Sequence, residues 1–250
     1  MTYVLQTRNL LMRFGGFVAT NDVSLNVAAG ARHALIGPNG AGKTTLINLL
    51  TGFLEPSEGT VILNNEDVTR LAQHQRVKRG LVRTFQITRL FADMTVLESI
   101  TLAVCERRGI GARWWNPVGS HAEAIEEAAE LLQQLRLLDV AYQQTKSLAY
   151  GKQRLIEITL ALAVRPSVLL LDEPAAGVPT NEGRELFETI AHLPSEVTIL
   201  LIEHDMDLVF RFADRISVLV NGGLVAEDTP EVIARDKRVR EVYLGEPVDG

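Results

Sequence analysis

The sequence predicts an α/β fold, a core of strands and helices into which a helical subdomain is inserted. Three observations carry that prediction. Residues Ala34 to Leu50 read as a short apolar strand, a glycine-rich turn and an apolar helix. Strand-like apolar runs return late, at Val168 to Leu171, Val197 to Ile202 and Arg215 to Val220, with helical stretches between them. Between these two regions, Ile87 to Arg165 shows helical periodicity and no clear strand.

Taken in order, Tyr3 to Val27 reads as strands around a turn at Gly15-Gly16, and Asp22 to Val27 alternates apolar and polar as a half-buried strand does. Phe14, just before that turn, either stacks on a purine base or fills the core. Ala29-Gly30 turns the chain into the strand Ala34-Leu35-Ile36. The segment that follows, Gly37-Pro38-Asn39-Gly40-Ala41-Gly42-Lys43-Thr44, matches G-x-x-x-x-G-K-[ST] at every fixed position, with strand before and helix after. Glycines let backbone N–H groups turn inward around a phosphate chain. A helix starting near Lys43 adds its positive dipole end and its unpaired N–H donors. Lys43 brings a point charge for the β- and γ-phosphates, and the Thr44 hydroxyl can hold Mg²⁺.

Gly52 to Gly59 is a turn-rich link, Thr60 to Leu63 a strand and Asn64-Asn65 a turn. His74 to Gly80 reads as a basic helix end, with Arg76, Lys78 and Arg79 expected on a solvated face. Leu81 to Phe85 is a further strand that leaves Gln86 at its carboxyl end, where ligand-contacting groups collect in open α/β sheets. The helices of the inserted region are expected at Met94 to Cys105, Ala122 to Leu138 and Lys152 to Val164. Ala124, Ile125, Ala128, Leu131, Leu132 and Leu135 keep the amphipathic spacing. The link Gly109 to Ser120 carries Trp114 and Trp115, which pack on their own subdomain or anchor a partner.

Three further constellations carry chemistry. In Val168 to Pro174, four apolar residues end in Asp172 and Glu173. An unbroken apolar run is how a strand buried on both faces reads, and its end places Asp172 within reach of a Mg²⁺ shell and Glu173 where it can polarise an attacking water. In Ser147 to Val164, a turn at Gly151 precedes a helix with Lys152 and Arg154 in its first turn. Cations there oppose the helix dipole unless an anion is expected, and a helix N-terminus is itself an anion site. In Leu201 to Asp205, a strand end delivers His204, a candidate contact for a γ-phosphate.

Bulk properties narrow the classes. The net charge of −6 gives no global basic field for nucleic acid or anionic lipid. The single cysteine, Cys105, excludes an internal disulfide and a cysteine-based zinc cluster. The start of the chain lacks the apolar stretch of a signal peptide, and no window reaches the ~20 apolar residues that span a bilayer. The expectation is a cytosolic protein that works at a membrane only through partners.

Together these residues resemble the ATP-binding subunits of ABC transporters over nearly the whole chain. GPNGAGKT looks like the Walker A motif, LLLDEP like Walker B, RTFQ with Gln86 like the Q-loop, LAYGK like the LSGGQ signature, IEHD with His204 like the switch histidine, and Phe14 in RFGG like the aromatic that stacks on adenine. The resemblance implies a P-loop NTPase core with an N-terminal antiparallel β subdomain and an inserted α-helical subdomain, the ABC ATPase fold. Residues 1–86 and 165–250 would form the nucleotide-binding core and 87–164 the signature subdomain of a single cassette. It implies ATP and Mg²⁺ as ligands. Phe14, Gly37, Pro38, Asn39, Gly40, Ala41, Gly42, Lys43, Thr44 and Thr45, with Leu148, Ala149, Tyr150, Gly151 and Lys152 of the signature, would bind nucleotide. Thr44, Gln86 and Asp172 would hold the metal, and Glu173, His204 and Gln86 would serve hydrolysis.

MRFGG, VRTFQ, LAYG with QRLIEI, DEPAAG and the YLGE ending are similar to the importer ATPases for branched-chain amino acids and related substrates. Ala149 and Tyr150 replace the signature's serine and first glycine, a departure that subfamily shares. Val178-Pro179-Thr180-Asn181 stands where most members carry an aspartate-bearing loop. The implied partners are membrane permease subunits, a second ATP-binding subunit in a head-to-tail dimer and, indirectly, a periplasmic solute-binding protein, with no nucleic acid. The implied location is peripheral, on the cytoplasmic face of the inner membrane. A lipid or lipopolysaccharide exporter ATPase, and a nucleic-acid- or translation-acting ATPase, are the alternatives.

Overall fold

The computed structural model describes residues 2–84, 91–110 and 121–244; Gln86, Trp114 and Trp115 lie outside the described residues. In chain order the elements are β1 (Tyr3–Phe14), β2 (Phe17–Val23), β3 (Asn26–Ala28), β4 (Arg32–Ile36), α1 (Lys43–Thr51), β5 (Glu58–Leu63), β6 (Glu66–Asp67), α2 (Gln73–Lys78) and β7 (Leu81–Arg83). There follow α3 (Val96–Arg107), α4 (Ala122–Gln134), α5 (Tyr150–Ala163), β8 (Val168–Asp172), α6 (Thr180–Ala191), β9 (Thr198–Ile202), α7 (Met206–Phe212), β10 (Arg215–Val220), β11 (Gly223–Asp228), α8 (Pro230–Ile233) and α9 (Lys237–Leu244). The chain forms two compact units, one of Met1–Arg83, Ser167–Glu173 and Pro194–Gly250, the other of Thr84–Pro166 and Pro174–Leu193. The helical unit thus takes in α6 as well as the three helices of the insertion.

Unbroken runs of branched apolar residues build the main sheet of the first unit. Its order is β11-β10-β4-β9-β8-β7, and all neighbours are parallel except the β10–β11 hairpin. Every residue of β8 and β9 is buried, as expected of strands covered on both faces. The chain moves inward from β7 through β8 and β9, then crosses β4 to reach β10. In β4 the two-residue period divides the core. Leu35 packs with Leu46, Ile47, Leu49 and Leu50 of α1 and with the apolar faces of β1 and β5. Ala34 and Ile36 join Ile216, Val218, Val209 and Ile233 on the opposite face. Each fully buried leucine or isoleucine of α1 contributes about 2 kcal/mol, which fixes that helix against the sheet.

The N-terminal strands pair antiparallel in the order β2-β1-β5-β6, with β3 also on β1. Asp22 to Val27 is not one strand. Asp22 adopts φ 54, and the Thr7 hydroxyl bridges Val23 O and Leu25 N, which separates β2 from β3. β11 is absent from the sequence expectation, although Asn221-Gly222, with φ 47 and 81, is the turn pair that closes tight hairpins.

Arg76 overturns the expectation of a solvated basic face. It is 1% exposed. Its guanidinium donates from Nη1 to Leu49 O and Leu50 O at 2.7 and 2.6 Å, from Nη2 to Thr69 O at 2.7 Å and from Nε to Leu71 O at 3.0 Å. It thus caps the carboxyl end of α1, where orphan carbonyls and the negative dipole end favour a cation. Burial lowers its pKa to about 10, against the pull of Asp67.

In the second unit, α3 starts in a capping box: Thr95 Oγ1 accepts from Glu98 N, and Glu98 Oε2 accepts from Thr95 N. The expected helix to Leu138 stops at Gln134. Arg136 takes φ 56, with Arg136 N bonded to Gln133 O and Leu137 N to Leu132 O, a Schellman ending with arginine where glycine usually signals the stop. Glu127 of α4 accepts from Arg107, Arg108 and Arg165. Burial would raise its pKa, but those three guanidinium groups hold it at about 2.

Candidate functional site

The glycine loop is shaped by how closely other backbone passes it. A Cβ on Gly37 would sit 2.2 Å from Leu219 O of β10, and one on Gly42 would sit 2.5 Å from Ala19 O of β2. Gly42 also adopts φ 101, a conformation that side chains resist. Only glycine serves at either place. The loop therefore wraps as a backbone surface, and α1 starts from it at Lys43 with no side-chain cap and no acidic residue in its first turn. Lys43 Nζ folds back to donate to Gly37 O at 2.6 Å and Pro38 O at 3.0 Å. Burial lowers its pKa, and the nearby Glu173 and Asp172 oppose that shift.

The parallel sheet supplies the acids. Asp172 lies opposite Ile202 on β9, and Ile202 lies opposite Leu35 on β4, so β8, β9 and β4 end together beside the loop. Asp172 closes β8 and is nearly buried. Glu173 follows with φ 47, rare for a residue with a side chain, and its N–H donates to Ile202 O at 2.9 Å. Neither acid caps a helix, since α6 begins only at Thr180 with Pro179 before it. His204 leaves the end of β9 with a side chain 67% exposed; its N–H donates to Oε2 of the buried Glu203 at 3.2 Å. Asp205 next to it caps α7. Phe14 ends β1 as an exposed ring.

One residue of this site escapes a sequence reading. Arg83, the last residue of β7, donates from Nη2 to Asp172 Oδ2 at 2.6 Å and from Nη1 to Asn48 Oδ1 of α1 at 2.9 Å. The arginine in RTFQ was the available signal, but its partners are distant in sequence.

In the second unit, Ala149 precedes α5 without offering a side-chain cap, as an alanine must, and Leu148 is buried. The first-turn cations have partners: Lys152 Nζ donates to Asp139 Oδ2, and Arg154 donates to Glu157 Oε2 at 2.8 Å and to Tyr150 Oη at 2.7 Å. The Gly151 N–H donates to Glu182 Oε2 of α6 at 3.0 Å. The anion called for at this helix start is thus supplied by the chain itself, and Glu182 is the residue that sequence reasoning missed.

The donor set fits a magnesium nucleotide. A cradle of loop N–H groups, a lysine and a helix start suit a phosphate chain. Among the described residues, no group of three His, Cys, Asp or Glu could hold a metal unaided. Thr44 could offer a hydroxyl and Asp172 a carboxylate to a Mg²⁺ whose other ligands are phosphate and water.

Comparison with known proteins agrees. A family model described as ABC transporter matches residues 20–176, and one described as branched-chain amino acid ATP-binding cassette transporter matches residues 224–249. The chain is 43% identical to the high-affinity branched-chain amino acid transport ATP-binding protein LivG of Escherichia coli, over 97% of this chain and 98% of that protein. It is 42% identical to BraF of Pseudomonas aeruginosa, a protein described in the same words, with the same coverage. Its fold superposes on the crystal structure of the ADP conformation of MJ1267, an ATP-binding cassette of an ABC transporter, with TM-score 0.85 at 34% identity, covering 98% of this chain and 100% of that one.

Proposed function

This chain belongs to the ABC transporter family and hydrolyses ATP to ADP and phosphate; from that premise we propose that it is the motor subunit of an importer for branched-chain or related amino acids. The observation that carries the catalytic part of the reading is the convergence of Lys43, Asp172 and Glu173 where β4 and β8 end. The match of the C-terminal residues 224–249 to the branched-chain amino acid model supports the importer class over an exporter or a nucleic-acid ATPase. No helix among the described residues is long and apolar enough to cross a membrane, so transport calls for permease subunits as partners.

The residues act as follows in this reading. Phe14 offers its exposed ring to the adenine. Loop N–H groups from Gly37 to Thr45 bind the phosphates, and Lys43 exchanges its loop carbonyls for the β- and γ-phosphate oxygens. Thr44 and Asp172, joined by Gln86 from outside the described residues, hold Mg²⁺. That ion, when bound, neutralises charge on the β- and γ-phosphates. Glu173 orients and polarises the attacking water, and His204 meets the γ-phosphate. Residues Leu148 to Lys152 serve the nucleotide of a second subunit in a head-to-tail dimer, which closes on ATP and opens after hydrolysis. The core of 1–86 and 165–250 binds nucleotide, and 87–164 carries the signature.

The test is the Glu173→Gln variant. It should bind ATP as the unmodified protein does and lose turnover by about 10²- to 10³-fold. Wild-type turnover would remove Glu173 from that role. Uptake of leucine into vesicles holding the permease pair, this subunit and a solute-binding protein tests the substrate class.

A further inference from the structure

Arg83 is the charged group of the site that the motifs leave without a task. Its side chain is only 14% exposed and that of Asp172 only 9%, so the ion pair is drawn largely out of water. Such a pair adds little stability against an apolar replacement, because desolvation offsets most of the attraction. Its geometry is more informative. One arm of the planar guanidinium fork, Nη2, donates to Asp172 Oδ2 on β8 and the other, Nη1, donates to Asn48 Oδ1 on α1, at 2.6 and 2.9 Å. α1 is the helix that starts with Lys43 and Thr44. Arg83 therefore ties the strand-end acid to the helix that carries the hydroxyl, and it occupies one carboxylate oxygen while leaving Oδ1 for another ligand. A lysine in its place could supply charge but not two bonds in one plane.

We propose that Arg83 is a positioning residue: through Asp172 and Asn48 it fixes the carboxylate relative to α1, so that Thr44 and Asp172 form the Mg²⁺-holding pair before nucleotide arrives. The proposal rests on the reading of Asp172 as a Mg²⁺ residue. Partners of metal-holding side chains typically govern metal affinity by 10- to 100-fold, which sets the size of effect to look for.

The experiment uses the full chain with Glu173→Gln, so that nucleotide is not consumed, and a fluorescent ATP analogue as probe. Adding Arg83→Met should leave binding in EDTA unchanged and raise the Mg²⁺ concentration at half-effect by about tenfold. Arg83→Lys should restore only part of that, and Asn48→Ala should shift it by about threefold in the same direction. Mn²⁺ binding followed by electron paramagnetic resonance gives the same comparison without nucleotide turnover. A folded Arg83→Met protein with an unmoved Mg²⁺ requirement overturns the proposal, even if its melting temperature falls. If that variant does not fold, unmoved values for both Arg83→Lys and Asn48→Ala overturn it. Asp172→Asn separates the premises. If it leaves the Mg²⁺ requirement unchanged, the metal reading of Asp172 fails. If it shifts the requirement while the Arg83 variants do not, only the role of Arg83 fails.

Discussion

Two helices of this chain, α1 and α5, start in the same unusual way and meet different fates. Both have a glycine and a lysine at the start and no acidic residue in the first turn. Helix starts normally attract acids, so each sequence asks for an anion. At α1 no side chain caps the helix start, and Lys43 bends back onto the carbonyls of Gly37 and Pro38. At α5 the carboxylate of Glu182 already accepts from the Gly151 N–H. A helix start left without an internal anion is held ready for an external one. A start that carries its own acceptor binds an incoming phosphate only by exchange.

The widest contrast comes from Lys43→Ala. Removing the Lys43 ammonium from the α1 cradle should lower ATP hydrolysis by about 10²- to 10³-fold, measured as phosphate release. Retained hydrolysis would mean that the loop N–H groups suffice and would break the comparison at α1. The other end of α1 is next. Arg76→Met leaves the carbonyls of Leu49 and Leu50 without their buried donor, and should cost about 3 kcal/mol in urea unfolding. An unchanged midpoint would show that those carbonyls find other partners.

Acid separates the two units. His33, fully buried on β4, has its pKa lowered to about 4 from 6.5 by burial and by Arg215, against Glu227. The unfolded chain takes up that proton first, so stability is unaffected above pH 6.5 and falls as pH drops from 6.5 to 4, by at most about 3 kcal/mol. His33→Gln should flatten that fall in melting temperature. Glu127 in the helical unit is held at about 2 against 4.5, so its contribution is complete above pH 4.5 and is lost only as pH falls toward 2. The smallest effect is expected at α5. Glu182→Ala removes the internal acceptor and should lower the ATP concentration at half-maximal hydrolysis by about threefold, a loss of competition worth one weak hydrogen bond. A rise instead would assign Glu182 a supporting role at the signature.

How much of this was legible depends on the span of each interaction. The glycine loop, the acids at the end of β8 and the histidine after β9 are local patterns in which strand, turn and chemistry lie side by side. The burial of Arg76 is not legible, because a run of basic residues on a short helix looks solvated and nothing nearby in sequence marks Leu49 O and Leu50 O as its acceptors. The ending of α4 is hidden in the sequence because Arg136 adopts a conformation that glycine usually signals. β11 gives little signal beyond the Asn221-Gly222 turn, since all its residues are half-buried and show no apolar alternation.

The sequence by itself determined the phosphate cradle, the α/β class, the helical insertion and the family. These rest on residue types whose backbone and dipole properties act within a few positions. Tertiary structure alone decided which charges face inward and whom they meet: Arg83 between Asp172 and Asn48, Arg76 at the end of α1, Glu182 on the Gly151 N–H. Each joins segments far apart in the chain. Their partners are set by strand order and helix packing, because a buried charge must find hydrogen bonds wherever the fold brings acceptors or donors to it.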